Sequence, residues 1–201
     1  MNDQKHADPT ALGLFGLAMV TLVASSQKLE LTHGFAYVVP WAIFLGAFAQ
    51  LIAGILDYKK CNVFGGTAFC AYGFFWLAVA FSWLTNIGTY GQLLQSNIDP
   101  HQLGMAFIGY LIFSLYMTVA AVETNKVLLV IFIFIDFLFI GLALNSFEIA
   151  PHATHRFSGI AELCISLLSF YGSAASILNI HFGRTFLPVG KPLGIFRKAS
   201  V

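Results

Sequence analysis

Long apolar runs alternate with short polar breaks along the chain. Runs at 34–56, 63–87, 103–122, 127–144 and 157–180 are each long enough to cross a bilayer, which takes roughly 20 mainly apolar residues, with a range of about 17–25. A shorter run at 9–26 comes first and makes six. Lipid offers the backbone no hydrogen-bond partners, so unbroken runs of this length predict helices. The fold class is therefore all-α, a polytopic membrane protein with six transmembrane helices. Asp8 is placed to cap the first of them, and Pro9 suits its first turn.

The polar breaks set organisation and orientation. The longest, 88–102, carries Asp99-Pro100 and reads as an external loop. No break has room for a second domain, so 1–201 reads as one membrane domain with a tail at 181–201. Lys5, Lys59, Lys60, Lys126, Arg184, Lys191, Arg197 and Lys198 fall on the side of both termini, and only Lys28 and Arg156 on the other. This split predicts cytoplasmic termini and a multi-pass cell-membrane location.

Composition agrees. Hydrophobic residues make up 58% and charged residues 9%, against roughly 25% charged in a soluble domain. Phe occurs 21 times, which suits a lipid-facing surface. The net charge of +1 suggests no nucleic-acid partner. Cys61, Cys70 and Cys164 are odd in number and have no motif spacing, so a disulfide framework is not expected. No small-residue cleavage site follows the first run, which reads as a retained helix.

Polar groups inside the spans are candidates for chemistry. Asp136 and Glu162 lie in the fifth and sixth runs. Acids at membrane depth are costly and should face the interior or a wet cavity. They read either as proton-linked or substrate sites, or as protonated acids bonded to a neighbouring helix; their depths would let them share a proton if their faces meet. Gln50 stands among Gly46, Ala49, Ala53 and Gly54 and reads as interhelical glue or as a substrate contact. The third run opens with Asn62, Gly65, Gly66 and Thr67. That opening is read either as a weakened helix start whose free N–H groups hold an anion or as ordinary capping. Phe69, Tyr72, Trp76 and Trp83 form an aromatic stripe, in which the Tyr72 hydroxyl needs a partner at depth. Glu148, His152 and His155 would share a face only on a helix that Pro151 disfavours, so no metal is expected. No phosphate loop and no nucleophile–base set is visible, so neither a cofactor nor an enzyme is expected.

The motifs of this chain resemble those of the acetate uptake transporter family, which includes bacterial succinate–acetate permeases and related fungal proteins. The family motif Asn-Pro-Ala-Pro-Leu-Gly-Leu stands here as Asp8-Pro9-Thr10-Ala11-Leu12-Gly13-Leu14. Ala49-Gln50, Ala53-Gly54, Asp57-Tyr58-Lys59-Lys60, Asn62, Phe64-Gly65, Thr67-Ala68-Phe69, Tyr72-Gly73, Phe75-Trp76 and Phe182-Gly183-Arg184-Thr185 also fit, as does Leu187-Pro188. The resemblance implies a six-helix protomer with its own pathway, assembled as a homohexamer in membrane lipid. It also implies acetate or succinate as substrate, often with proton coupling. It places an apolar constriction on the first, third and fifth helices, here Leu17, Tyr72 and Ile135, where Leu17 replaces an aromatic. Asp8 and Thr10-Ala11 are further departures.

The expected mechanism joins both readings. Basic residues draw anions to the cytoplasmic mouth. Gln50, Asn62, Thr67 and Trp76 are the candidate substrate contacts, and the apolar neck is the barrier. A passive channel for acetate, urea or ammonia is the alternative.

Overall fold

The computed structural model describes residues 7–196. Lys5, Arg197 and Lys198 of the charge pattern lie outside the described residues. Six helices are long and apolar enough to span: α1 Thr10–Lys28, α2 Val38–Lys59, α3 Val63–Asn86, α4 Pro100–Ala121, α5 Lys126–Ser146 and α6 Pro151–His181. The 88–102 loop carries one short helical turn at Gln92–Gln95.

Local chemistry sets the starts. Asn62 accepts the Gly65 N–H at 3.2 Å, Asp99 that of His101 at 2.9 Å, and Asn125 that of Leu128 at 3.0 Å. Each satisfies a donor that the first turn leaves free. At α1 the arrangement is shifted from the expected one: Pro9 itself is the N-cap, and Asp8 accepts the Thr10 amide and hydroxyl. α6 begins six residues before the expected 157, because Pro151 stands in its first turn, where the missing N–H is harmless. His152 and His155 are therefore helical, and Glu148 stays outside the helix. At about 46 Å for its 31 residues, α6 is longer than the hydrocarbon layer.

α2 is not a plain helix. Ala42–Ala49 is wound as a π-helix, which ends where Gln50 begins a regular turn. The Gln50 amide donates to the Gly46 carbonyl at 2.7 Å.

The six helices form a ring in chain order, and α6 closes on α1. Contacts are most extensive between α1 and α6 and between α2 and α3, and thinnest between α3 and α4. Small residues set the close approaches. Gly16 lets α1 meet the Leu45 carbonyl of α2, and Gly54 lets α2 meet the Cys70 backbone of α3. Ser166 and Ser173 of α6 donate to the Ala18 and Ala11 carbonyls of α1, both at 2.8 Å. Such bonds join helices where lipid gives no hydrophobic drive to associate. Rings fill the thin seam: Tyr72 and Phe75 of α3 pack on Phe107, Tyr110 and Phe113 of α4 and on Phe139 of α5.

The tail is a strap on the side of the termini. Asn179 accepts the Phe186 and Leu187 amides, Val189 accepts the Val127 amide at 3.2 Å, and Leu193 donates to Val122 at 3.0 Å. It crosses the α4–α5 turn rather than lying free along the surface. Lys60 reaches Asp8 at 3.5 Å and ties the end of α2 to the start of α1.

Two outcomes follow from this packing. A Cβ at Gly54 would stand 2.9 Å from the Cys70 backbone nitrogen and 3.0 Å from the Gly66 oxygen, whereas one at Gly109 meets nothing within 4 Å. Gly54→Ala is therefore expected to destabilise by about 1–3 kcal/mol, and Gly109→Ala to be neutral or stabilising by up to about 1 kcal/mol. Thermal unfolding in detergent compares them; equal Tm values would refute the close approach. Partial burial pulls the Asp8 carboxyl up, but the Thr10 hydroxyl and amide and Lys60 outweigh it, so it titrates below its ordinary 3.8. A carboxyl lowered by folding stabilises fully above its ordinary value and loses that contribution as pH falls through the folded value. Asp8→Asn should flatten the fall in Tm below pH 3.8; an unchanged acid limb would show that the tie is not felt.

Candidate functional site

Five cavities follow one another through the ring, each sharing lining residues with the next. On the side of the termini is a vestibule of about 170 Å³, walled by Asp8, Asn125 and Asn179. Thr10, Leu14 and Leu128 are common to it and to a narrower cavity of about 60 Å³ that holds Gln50, Asp57 and Asn62. Leu17, Tyr72 and Ile135 are common to that cavity and to a void of about 20 Å³. Phe75 and Trp76 lead on to a chamber of about 160 Å³. Lys28, Asn145 and His155 join the chamber to an outer vestibule of about 330 Å³. The profile is an hourglass whose waist has room for about one water.

The waist is apolar because its polar atoms are engaged elsewhere. The Tyr72 hydroxyl donates to Ser114 of α4 at 3.2 Å, and the Thr21 hydroxyl donates to its own helix at Leu17 at 2.7 Å. Rings brace Tyr72 from α4 and α5. Leu17, Tyr72 and Ile135, brought together from three helices, are the residues expected at the constriction.

On the side of the termini, Gln50 is fully buried and its Oε1 has no partner. Asp57 is 1% exposed, and neither oxygen accepts a well-formed hydrogen bond, although the Asn62 amide stands beside it. Gly65 makes room for this carboxyl, since a Cβ there would overlap it. The glycine pair of α3 thus serves close packing, Gly66 against the Tyr58 ring, and the Asn62 cap occupies the Gly65 N–H. The expected loose, anion-holding turn is not formed.

Other expected residues divide. Asp8 and Leu14 line the mouth, and Gly13 gives the Phe69 ring room against α1. Pro9 is buried, while Leu12 faces outward. Thr67 lines none of the five cavities; it bonds the Tyr58 hydroxyl at 2.8 Å. Trp76 lines the waist void and the chamber beyond it, not the cavity that holds Gln50 and Asn62. Asp136 also lines none of the five: its Oδ2 accepts from Thr118 of α4 at 2.7 Å. Glu162 faces the chamber and is bound to Lys28 at 2.8 Å. The two intramembrane acids therefore do not pair with each other.

Sequence reasoning quoted Asp57 only within a family motif, weighed His155 only as a metal ligand, and passed over Lys28 and Asn145 as site residues. Asp57 is two helical turns from Gln50, so a seven-residue spacing was the available signal. Lys28 looked like a loop cation at a span end, and only the tertiary contact reveals its partner.

Known proteins share this architecture. The sequence profile of the GPR1/FUN34/yaaH family matches residues 1–189. The succinate-acetate/proton symporter SatP of Escherichia coli strain K12 is 32% identical over 192 residues, 95% of this chain and 99% of that protein. Acetate permease A of Emericella nidulans is 31% identical over 153 residues, 71% of this chain and 50% of that protein. The solved structure of the bacterial acetate channel SatP superposes with a TM-score of 0.86 at 32% identity, covering 92% of this chain and all of that one. With the fold in agreement and nearly the whole length of the chain matched, the protein belongs to the GPR1/FUN34/yaaH family.

Proposed function

We propose that this chain transports acetate and similar small carboxylates such as succinate across a cell membrane, coupled to protons, as a transporter and not an enzyme. The observation that carries this reading is the hourglass of cavities meeting at Leu17, Tyr72 and Ile135, with polar groups at both ends. The relatives named for acetate and succinate support the substrate class.

The termini, on this reading, are cytoplasmic, and protomers assemble as a hexamer with one path each. Lys59, Lys60, Lys126, Arg184 and Lys191 favour anions at the cytoplasmic mouth. A bare carboxylate meets its highest barrier at the hydrocarbon waist, where nothing replaces its water. A proton on the substrate lowers that barrier. Asp57, which is buried, accepts no well-formed hydrogen bond and lies one cavity from the waist, is the residue placed to exchange it. Gln50 offers the acceptor that a carboxylic O–H needs. Asp136, off the path, has no part in this scheme.

A passive channel is the second reading, favoured by the succession of cavities that share lining residues from one side of the ring to the other. Uptake of labelled acetate into proteoliposomes, measured against protein-free liposomes, separates the two. Saturable uptake driven by an inward proton gradient establishes the symporter. Uptake linear in acetate and indifferent to the gradient establishes the channel, and no uptake above the leak would sink both.

Two variants refine the test. Asp57→Asn is expected to abolish stimulation by the proton gradient while downhill acetate flux persists; retained stimulation would remove Asp57 from the coupling. Leu17→Phe narrows the waist. It is expected to lower succinate flux relative to acetate by roughly tenfold, a barrier difference of about 1.4 kcal/mol. An unchanged ratio in well-expressed protein would mean that the waist does not select.

A further inference from the structure

The outer half of the path holds a buried ion pair that the mechanism above does not use. Lys28 closes α1, and its Nζ lies 2.8 Å from Glu162 Oε2 of α6, with the two side chains 10% and 2% exposed. A pair this deep is a poor device for stability. Desolvating both ions offsets most of their attraction, and apolar residues of similar volume often do as well.

The surroundings are built around the lysine. Gly159, one turn before Glu162, brings the Lys28 stem onto α6, since a Cβ there would stand 2.9 Å from Lys28 Cβ. Lys28 is one of three residues, with Asn145 and His155, that wall both the outer vestibule and the inner chamber. Its ammonium carries three N–H donors. One bonds Glu162, and no other described residue accepts from it. The remaining donors have only the cavities to serve. Arg156 and His152 line the vestibule outside, opposed there by the carboxylate of Glu30.

We propose that Lys28, Asn145 and His155 form a carboxylate-binding station at the outer threshold, with Glu162 as a tethered competitor. This rests on the transport reading and deepens it. An incoming carboxylate takes a spare donor of the Lys28 ammonium and competes with Glu162 for its charge, with the Asn145 amide as a second donor. When the substrate moves on past Trp76, Glu162 has Lys28 to itself again. The internal carboxylate keeps the station from becoming a trap, because a substrate leaving does not strand a bare ammonium. Asn145 and His155 complete the opening, so the station discriminates for a planar anion over a neutral solute of similar size.

The test uses full-length protein, acetate as probe and two readouts, flux in proteoliposomes and binding of ¹³C-acetate by NMR in detergent. Glu162→Gln removes the competitor and keeps the lysine; acetate binding is expected to tighten severalfold while maximal flux falls. Lys28→Met alone leaves a buried unpaired acid and is at risk of misfolding, so it is combined with Glu162→Met. The apolar pair is expected to fold, judged by an unfolding temperature near wild type, and to half-saturate at about tenfold higher acetate, matching one lost charge-assisted bond. A double variant with wild-type binding and half-saturation would overturn the station and reduce the pair to a structural tie. Failure of the transport reading looks different: wild-type protein that binds acetate through Lys28 but gives no flux above the leak. Wild-type protein with neither binding nor flux would overturn both.

Discussion

α1 lies closer to its neighbours than ordinary side chains permit, and the path exists because of it. Gly13 takes the Phe69 ring of α3, Gly16 the Leu45 carbonyl of α2, and Gly159 and Gly172 of α6 take the Lys28 stem and Leu14. In lipid, helices have no hydrophobic reason to associate, so van der Waals contact and interhelical hydrogen bonds hold them. Ser166 and Ser173 supply such bonds to α1 carbonyls. The helix so held contributes to every cavity of the hourglass: Leu14 near the mouth, Leu17 and Thr21 at the waist, Lys28 at the outer threshold. A shift of α1 therefore changes every segment of the path at once.

Charge is distributed along this path in a way that suits an anion without storing it. The mouth has exposed basic residues around Asp8, whose own charge is spent on Lys60. The waist has none. The outer chamber has one ammonium, already answered by Glu162. Asp57, next to the waist, is a buried carboxyl on the path whose oxygens accept no well-formed hydrogen bond. The buried ammonium of Lys28 and this buried acid thus stand on opposite sides of the barrier.

What the sequence could show follows from the length of its signals. Spans are runs of about twenty residues, and no loop of this chain imitates one, so the six helices were legible. Their ends were less so: Pro151 reads as a breaker or as a first-turn residue by local rules alike, and only the helix above it decides. The π-wound Ala42–Ala49 segment has no marker in an apolar run. The waist was legible through Tyr72 and its family partners. Glu162 stood out for being charged at depth, but its partner Lys28 lies 134 residues away in the chain. Thr67 reads as a binding group because its hydroxyl follows a glycine pair, and the bond that Tyr58 makes to it has no local marker in the sequence.

The waist also bears on whether the protein works as a carrier or as a channel. Tyr72 is fixed on three sides, by Ser114, by rings of α4 and by rings of α5. Leu17 and Ile135 are bounded by a packed α1 and α5. A waist assembled from braced side chains opens by small rotations of Leu17 and Ile135 more readily than by rocking whole helices, which the serine and glycine contacts of α1 oppose. Coupling to protons then does not require alternating exposure of a sealed site. It requires only that the neutral acid cross the waist faster than the anion, as the hydrocarbon lining dictates, and that a carboxyl such as Asp57 stand near enough to exchange the proton on one side.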